Sequence, residues 1–461
     1  MPRFVHEFRI PRPSAEVFAW HERPGAFERL APPWMRVGVR ARTGTIRDGG
    51  ELVLEVGRNG VSFAWRLRHR DYEEGRTFTD EQVKGPFRRW VHVHRFEDDG
   101  ADGTRIVDEI DWDVTAGRAV RGLAVPVVER ELSRVFAFRK RRLSDDLRGH
   151  AVWMHRPPLS VAISGAGGLI GSALSDLLTT GGHRVRPLVR SREAASRIPG
   201  ALYWSPAHGE IDLDGLRGVD AVVHLAGEPI VRLPRWTPAK KRSILESRVR
   251  GTELISGALA GLRDAGPTIL VSSSGVGYYG DRGDEVLDEE TDSGRGFLAE
   301  VTGKWESATR RASSVGLRVV IQRQGPALCP AGGMLGRLMT PFSVGMGGRV
   351  GSGKQYVSWI DLDDATGAIL HALMDDRVEG AINVCAPEPV TNAEFADVLG
   401  RVLGRPTLVP LPVPVVRAGL GEMGREVLLF GQRVHPARLL EAGYRFRFER
   451  LEDSLRHQLG R

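Results

Sequence analysis

The chain contains very little cysteine. Its 461 residues include only Cys329 and Cys385, which lie far apart and form neither a CxxC pair nor a cysteine–histidine cluster. This excludes a disulfide scaffold and a structural zinc site built on cysteine, and we expect two reduced, buried thiols. No metal site is predicted.

Long apolar runs are also missing. No stretch approaches the roughly 18 consecutive apolar residues of a membrane-spanning helix. The first ten residues, MPRFVHEFRI, lack the apolar core of a signal peptide. We therefore expect a cytoplasmic protein without a membrane span.

Lysine is scarce as well. Only six of the 65 basic residues are lysines, and 58 acidic residues leave a net charge of +7. The densest basic run, RKRR at 139–142, has acidic residues on both sides in the same helical pattern. This favours a solvated helix face over a site for nucleic acid or anionic lipid. We expect a small-molecule substrate and no nucleic-acid partner.

The rest of the composition, 41% hydrophobic and 27% charged, is that of a globular protein with room for two or three domains. Near residues 150–158 strand-like alternation gives way to strands that alternate with helices, and the pair Pro157-Pro158 cannot continue a helix. We predict a first domain over 1–152, a second over 159–385 and a C-terminal substrate lobe over 386–461.

The first domain shows strand patterns followed by one long amphipathic helix at about 127–147. A short helix is predicted to start at Ser14, whose hydroxyl would cap it. The strand candidates are 4–10, 51–56, 62–69, 90–96 and 105–114. A curved antiparallel sheet that grips one helix satisfies this order and leaves a cavity. The side chains that either line this cavity or belong to the core are Phe63, Trp65, Phe87 and Trp90.

Residues 13–34, PSAEVFAWHERPGAFERLAPPW, resemble the N-terminus of the SRPBCC superfamily, the START-like helix-grip domains of polyketide cyclase type. The resemblance covers about the first 150 residues. Members typically hold an apolar ligand in the cavity, so the resemblance implies an apolar ligand for this α+β domain.

The clearest motif follows a short apolar strand at 159–164. It reads GAGGLIG over 165–171, and a helix to about residue 179 and a second strand at 184–189 come after it. Such a βαβ unit needs glycine for the tight turn, for close approach of the backbone to a pyrophosphate and for helix packing. Free amides at the helix N-terminus then face the phosphates. The predicted dinucleotide contacts are Gly165, Gly167, Gly168, Leu169, Ile170 and Gly171.

The second strand of this unit is followed by Arg190, Ser191 and Arg192. An NAD site usually carries an acidic residue there for the ribose 2′-hydroxyl. Arginine instead offers a planar set of donors that suits a 2′-phosphate. The three residues therefore favour NADP as the cofactor, unless both arginines are simply solvated.

Later strands add further candidate contacts with the cofactor. They end in segments where the backbone can pass close to a bound dinucleotide. These residues are Leu225, Ala226, Gly227, Ser272 and Pro326.

Several longer stretches carry a second resemblance. They are HLAGEPI (224–230), RWTPAKKRSILESRVRGT (235–252), SSSGVGYYGDRG (272–283), GGMLGRLMTPFSVGMGGRVGSGKQYVSWIDLDD (332–364), NVCAPEPVTNAEFA (383–396) and LLFGQRVHPARLLEAGYRFRF (428–448). These stretches resemble extended short-chain dehydrogenase/reductases of the NAD-dependent epimerase/dehydratase family, in particular an atypical sugar-nucleotide-epimerase-like branch. The resemblance runs from about residue 159 to the end and implies an α/β Rossmann-type, doubly wound parallel sheet with a C-terminal substrate lobe.

Extended reductases usually pair a serine or threonine with Tyr-x-x-x-Lys, in which the lysine lowers the pKa of the phenol that transfers a proton. Ser274 takes the hydroxyl position. With Glu306 as the register mark, Leu298 and Thr302 occupy the tyrosine and lysine positions, and neither can transfer a proton. The atypical branch generally lacks the same pair. Candidate replacements, each of which also fits a structural role, are Tyr278, Tyr279 and Lys304.

Candidate substrate contacts carry over from the same resemblance. Arg248 lies on a predicted helix, where it either reaches a phosphate or carboxylate or forms a surface salt bridge. Gln355 and Trp359 belong to the run QYVSWID. Many relatives have histidine where Asp361 stands, so this chain lacks a candidate base there.

Three functions remain open at this stage. The first is an NADP-binding oxidoreductase or epimerase that acts on an unidentified small substrate, with an N-terminal domain that binds an apolar ligand. The second is an NADP-binding sensor without catalysis. The third is a lipid- or polyketide-binding protein whose α/β domain reports the redox state.

Overall fold

The structure is a computed structural model that describes residues 2–58, 61–100, 102–114, 118–232, 235–262 and 265–461. The chain forms two compact units. One comprises Met1–His155 with Thr179–Gly182 and His457–Arg461, and the other comprises Arg156–Leu178 and His183–Arg456.

The N-terminal unit is an antiparallel sheet with one long helix. Its strands are β1 (Arg3–Ile10), β2 (Arg36–Thr43), β3 (Glu51–Arg58), β4 (Val61–Glu73), β5 (Thr77–Lys84), β6 (Phe87–Asp98) and β7 (Thr104–Val114). Its helices are α1 (Ser14–Glu22), α2 (Ala26–Leu30) and α3 (Arg118–Ala151). The strands pair in the order β1-β7-β6-β5-β4-β3-β2. The predicted α+β helix-grip class is confirmed.

Alternation along the strands explains why the sheet covers α3. On β7, Ile110 and Trp112 point to the same side because side chains alternate along a strand, and both are fully buried. They share one apolar cluster with Trp90 of β6 and Phe136 of α3. Burial of these large apolar side chains stabilises the packing of the helix against the sheet.

Two predictions for this unit are wrong, and two of its strands were not predicted. Ser14 does not cap α1, because its hydroxyl donates to Asp98 Oδ1 at 2.5 Å and the helix begins after Pro13. Strands β2 and β5 were not predicted from the sequence. The basic run is not one solvated face, because Arg142 is only 7% exposed and Arg139 lines a cavity.

The second unit begins with the predicted βαβ unit. Its strands are β8 (Ser160–Ser164), β9 (Arg184–Val189), β10 (Leu202–Ser205), β11 (Glu210–Ile211), β12 (Ala221–His224), β13 (Ile269–Gly275), β14 (Val286–Leu287), β15 (Arg318–Gln324), β16 (Ala327–Cys329), β17 (Tyr356–Val357), β18 (Ile360–Asp361), β19 (Gly380–Val384), β20 (Val390–Thr391) and β21 (Arg433–Val434). Its helices are α4 (Leu169–Thr180), α5 (Arg192–Arg197), α6 (Leu213–Leu216), α7 (Pro238–Gly261), α8 (Phe297–Ser307), α9 (Arg310–Ser313), α10 (Gly333–Ser343), α11 (Leu362–Met374), α12 (Asn392–Leu403), α13 (Val413–Gly424), α14 (Ala437–Glu441) and α15 (Leu451–Leu459).

The main sheet of this unit has the strand order β11-β10-β9-β8-β12-β13-β15-β19, and all its pairs are parallel except β10 with β11. Strands β9, β10 and β11 extend the sheet on one side of β8. The chain then returns, and β12 pairs with the other side of β8. This reversal is the switch point at which open α/β sheets bind ligands. The predicted Rossmann-type fold is confirmed.

The described residues contain no helix that is long and apolar enough to cross a membrane.

Candidate active site and nucleotide-binding turn

The turn between β8 and α4 requires glycine at two positions. Gly165 has a φ of +75°, and a Cβ there would lie 3.0 Å from the backbone nitrogen of Ala226. At Gly171 a Cβ would lie 2.2 Å from the carbonyl oxygen of Gly165. At Gly167, by contrast, a Cβ would meet no described atom within 4 Å. The turn therefore leaves space beside Gly167, at a helix N-terminus that favours a phosphate.

The loop after β12 lies against this turn. Ser164, at the end of β8, has its Oγ 2.6 Å from His224 Nδ1 and accepts hydrogen bonds from the amides of Leu225 and Ala226. Burial lowers the pKa of His224 to about 3, so its ring is neutral and Nδ1 accepts the serine proton. This network fixes the loop that contains Gly227 at the switch point of the sheet.

The two arginines after β9 have different surroundings. Arg192 lies 4.1 Å over the ring of Tyr203 and donates to Glu210 Oε2 at 2.7 Å. Ser191 caps the short helix α5. Arg190 is exposed and has no ion pair within the described part of the chain. Of the two, Arg190 has the guanidinium that is available to a ligand.

Ser274, one of the predicted catalytic residues, belongs to a buried cluster. Its hydroxyl, near the end of β13, donates to Glu306 Oε1 of α8 at 2.7 Å. The same carboxylate accepts from Arg323 of β15, with 3.1 Å from Nε to Oε1 and 3.0 Å from Nη2 to Oε2. The side chains of Arg323 and Glu306 are only 6% and 12% exposed. The serine is therefore held by an ion pair that connects a helix to the sheet.

Both predicted tyrosines lie beside Arg323. The Tyr279 hydroxyl accepts from Arg323 Nη1 at 3.1 Å and lies 2.7 Å from Asn383 Oδ1. Tyr279 is fully buried, and burial raises its pKa to about 12. The guanidinium of Arg323 lies 3.5 Å over the ring of Tyr278. The structure thus brings Ser274 and both tyrosines together around one arginine.

Lys304 does not join this cluster. Its Nζ donates to Glu300 Oε1 at 2.6 Å, and both side chains are more than half exposed. Residues two positions apart are about 200° apart around a helix, so Lys304 and Glu306 point to opposite sides of α8. A tyrosine–lysine pair, one of the arrangements considered from the sequence, is not formed. The cation beside the Tyr279 hydroxyl is Arg323.

The three residues predicted to contact substrate each donate to backbone carbonyls, and their contact with a substrate stays a prediction. Arg248 is 7% exposed and donates from Nη1 to two carbonyls at 2.9 and 3.1 Å. Gln355 donates to two carbonyls at 3.0 and 2.9 Å, and the fully buried Trp359 donates to one at 3.1 Å. Asp361 caps α11 and is fully buried, and burial raises its pKa to about 8.

Two further residues were predicted to contact the cofactor, and both take part in the packing of the main sheet. Ser272 is within β13 and only 1% exposed. Pro326 follows β15, and its carbonyl accepts from the amide of Ile360 at 3.2 Å. Their contact with a cofactor stays a prediction.

Sequence analysis missed the role of Glu306 and did not single out Arg323 or Asn383. A signal for the ion pair was present, because Arg323 is a charged residue near the end of β15, a strand whose middle is the apolar run Val319–Ile321. A charge in such a strand needs a buried partner. The partner cannot be found from spacing alone, since the sheet brings it from a helix.

A cavity of about 270 Å³ lies within the N-terminal unit. Trp65 and Trp90, both predicted to line it, do so. Phe87 packs against these two tryptophans but does not line the cavity, and Phe63 is 40% exposed. Phe87 therefore packs with the core, the alternative that the sequence left open, and the prediction is wrong for Phe63 alone.

Known families match most of the chain. Residues 161–385 match the NAD dependent epimerase/dehydratase family, residues 10–138 match the polyketide cyclase / dehydrase and lipid transport family, and residues 411–458 match a domain of unknown function (DUF1731).

Individual proteins are similar over long stretches. An epimerase family protein of Mycobacterium bovis is 46% identical over 295 residues, which cover 64% of this chain and 96% of that protein. The crystal structure of a nucleoside-diphosphate sugar epimerase from Corynebacterium glutamicum has a TM-score of 0.81 at 34% identity and covers 99% of this chain and 90% of that one. The human epimerase family protein SDR39U1, solved with NADPH, has a TM-score of 0.59 at 35% identity and covers 65% and 99%. The chain therefore belongs to the NAD-dependent epimerase/dehydratase family and carries an N-terminal polyketide cyclase-type domain.

Proposed function

We propose that the chain binds NADP(H) at the turn between β8 and α4 and acts as an oxidoreductase or epimerase on a small substrate. The observation that carries the proposal is the shape of this turn. Glycine is required at 165 and 171, whereas the backbone at Gly167 borders open space at the N-terminus of α4. A pyrophosphate needs both features. The loop Leu225–Gly227 lies beside the turn, on the path of a dinucleotide across the switch point.

Two observations support NADP over NAD. Arg190 is exposed directly after β9 and has no ion pair among the described residues, so its guanidinium is free for a 2′-phosphate. The human relative, at 35% identity, was solved with NADPH. Arg192 is held by Glu210 and Tyr203, and we assign it a secondary role in fixing the conformation of the segment after β9.

Arg190→Gln is expected to weaken NADPH binding by roughly 10- to 100-fold and to leave NADH binding unchanged, because charge-assisted hydrogen bonds to a phosphate contribute about 1.5–3 kcal/mol. Calorimetric titration with both nucleotides measures the two affinities. Arg197→Gln is the matched control, since Arg197 is an exposed arginine on α5 that pairs with Glu193. An equal loss for both nucleotides, or no loss, would contradict the 2′-phosphate assignment.

Chemistry at this site would depend on groups other than Tyr-x-x-x-Lys. The bound nicotinamide supplies or accepts a hydride. Ser274 takes the hydroxyl position that the family resemblance implies, and it can hold a substrate oxygen when it gives up its hydrogen bond to Glu306. We expect Ser274→Ala to slow NADPH oxidation about 10- to 100-fold in a screen of aldehydes, ketones and nucleotide sugars while NADPH affinity stays the same. The reduced nicotinamide is followed by its absorbance.

One set of observations favours a non-catalytic sensor as the second candidate. Leu298 and Thr302 stand where the proton-transfer pair is usual, and the Thr302 hydroxyl donates to the carbonyl of Leu298 at 2.8 Å. Lys304 points away from the cluster. Tight NADPH binding with no oxidation by any compound of the screen, in the wild type and in Ser274→Ala alike, would establish the sensor over the enzyme.

We also propose that the N-terminal cavity binds an apolar ligand. Its volume of about 270 Å³ is close to the roughly 300 Å³ at which small-molecule sites begin. Leu54, Trp65 and Ile110 are among its apolar walls. Extraction of the purified chain with organic solvent, followed by mass spectrometry, tests this directly. A bound apolar compound in stoichiometric amount is the expected result.

A further inference from the structure

A row of polar side chains crosses the sheet of the N-terminal unit. It consists of His69 on β4, Asp80 on β5, His92 and His94 on β6 and Asp108 on β7, and we call it the polar row. Strand register makes its members neighbours: His69 pairs with Asp80, Asp80 with His92, and His94 with Asp108. Four of the five side chains belong to residues no more than 9% exposed, and Asp80 is partly buried. Such a row within an apolar face costs stability unless its charges are matched.

Four members of the row face the cavity. His69, Asp80, His92 and His94 line it, whereas Asp108 does not. One nitrogen of His92, one nitrogen of His94 and one oxygen of Asp80 all lie within 4.8 Å of one another. We propose that Asp80, His92 and His94 bind a divalent transition-metal ion of the Zn²⁺ class at the wall of this cavity. Two imidazoles and one carboxylate are a ligand set that such ions prefer.

Two of the ligands form a long hydrogen bond whose length also suits two ligands of one ion. His94 Nε2 lies 3.4 Å from Asp80 Oδ2. This is longer than the roughly 2.7–3.2 Å of an ordinary hydrogen bond. Two atoms at about 2.1 Å from a tetrahedral ion are themselves about 3.4 Å apart. The pair is therefore already at the separation that a bound ion imposes.

His69 lies close to Asp80. Its Nδ1 lies 2.7 Å from Asp80 Oδ1, but the approach does not have the geometry of a hydrogen bond. Both atoms are buried and lack a hydrogen-bond partner within the described part of the chain. At 2.7 Å the two atoms are too close to be separate ligands of one tetrahedral ion, so His69 would support Asp80 and not bind the ion itself.

Asp108 acts as a positioning residue behind the two imidazoles. Its Oδ1 lies 2.7 Å from His94 Nδ1 and 3.0 Å from His92 Nε2. His92 Nε2 can donate its ring N–H to this carboxylate, which leaves Nδ1 of His92 with a free lone pair, and Nδ1 of His94 contacts the same oxygen. A metal-binding histidine usually donates its second N–H to a carboxylate in this way, which fixes the tautomer and the ring orientation.

Charge favours a cation at the same place. Asp80 places a carboxylate on the cavity wall, and Asp108 lies directly behind His92 and His94. The two carboxylates together would balance the charge of a divalent ion. Arg139 also lines the cavity; its Nε donates to the carbonyl of Leu30 at 3.3 Å, and its charge acts on both Asp80 and Asp108. Three protein ligands leave a fourth position for water or for an oxygen of a cavity ligand.

The experiment uses the full chain without an affinity tag, stripped with a chelator and titrated with Co²⁺ and then with Zn²⁺. Elemental mass spectrometry is expected to find one ion per N-terminal unit, and the visible spectrum of bound Co²⁺ is expected to show nitrogen and oxygen ligands in a site of low coordination number. The isosteric Asp80→Asn is expected to weaken binding at least about 100-fold, and Asp108→Asn by about 10- to 100-fold. His155→Ala, which removes an exposed histidine outside the row, is the control and should bind like the wild type.

Absence of saturable Co²⁺ uptake by the wild type would overturn the proposal. Uptake that survives in both Asp80→Asn and His94→Gln would also overturn it, because the ion would then lie elsewhere. Circular dichroism checks that each variant is folded. Zn²⁺ should raise the melting temperature of the wild type but not of Asp80→Asn, since a ligand stabilises only a state that binds it.

Discussion

Gly167→Val is expected to abolish NADPH binding while the chain stays folded. A Cβ at this position meets no described atom within 4 Å, and the backbone there is not in the left-handed region, so we expect the apoprotein to accept valine. The open space that the side chain would fill is where we place the pyrophosphate, which needs close approach to the backbone. The expected loss is at least about 100-fold in affinity, equivalent to about 2.7 kcal/mol. Calorimetry with NADPH measures it.

Two further glycine variants test whether the loss of NADPH binding is specific to position 167. Gly38→Val adds the same side chain to another open position, on β2 of the N-terminal unit, and should leave NADPH affinity unchanged. Gly171→Val places a Cβ 2.2 Å from the Gly165 carbonyl and should destabilise the turn itself. If Gly167→Val binds NADPH like the wild type, the pyrophosphate does not pass beside this turn and the proposed cofactor site is refuted.

The nucleotide-binding turn was predictable because its information is local. The strand, turn, helix and second strand follow one another within residues 160–189, and each depends on its own short pattern. The glycine spacing then fixes which backbone atoms face a ligand. The preference for NADP rests on Arg190 and Arg192, but the sequence could not show that only Arg192 is held by other side chains.

The polar row and the Ser274 cluster were not predictable, because both depend on contacts between distant residues. The row requires the register of four strands, and a shift by one residue would turn its members to the other face. Lys304 illustrates a different error. It was a candidate because it lies close along the helix to Thr302, the position of the missing lysine, whereas its direction depends on the helical phase, which Glu306 rather than Lys304 satisfies.

Glu306→Ala is expected to lower the free energy of unfolding by about 3–5 kcal/mol, because it leaves the Arg323 guanidinium buried without a carboxylate. It also removes the acceptor of the Ser274 hydroxyl. Denaturant unfolding measures the loss of stability. Faster hydrogen exchange in peptides from α8 would show that the loss occurs in the unit that contains this helix. Glu300→Ala on the same helix is the control. Its partner Lys304 is 53% exposed, so the expected loss is below about 1 kcal/mol.

The double variant Glu306→Leu with Arg323→Met distinguishes the contribution of the ion pair to stability from its role in positioning Ser274. Replacement of both charges by apolar side chains of similar volume is expected to recover much of the stability, since a buried ion pair contributes little net free energy beyond that of such a replacement. Ser274 would then be held by neither charge. Recovery of stability without recovery of NADPH oxidation would show that the pair positions Ser274 for chemistry. Equal stability losses in Glu306→Ala and Glu300→Ala would instead show that the carboxylate of Glu306 is no more important to the fold than an exposed one.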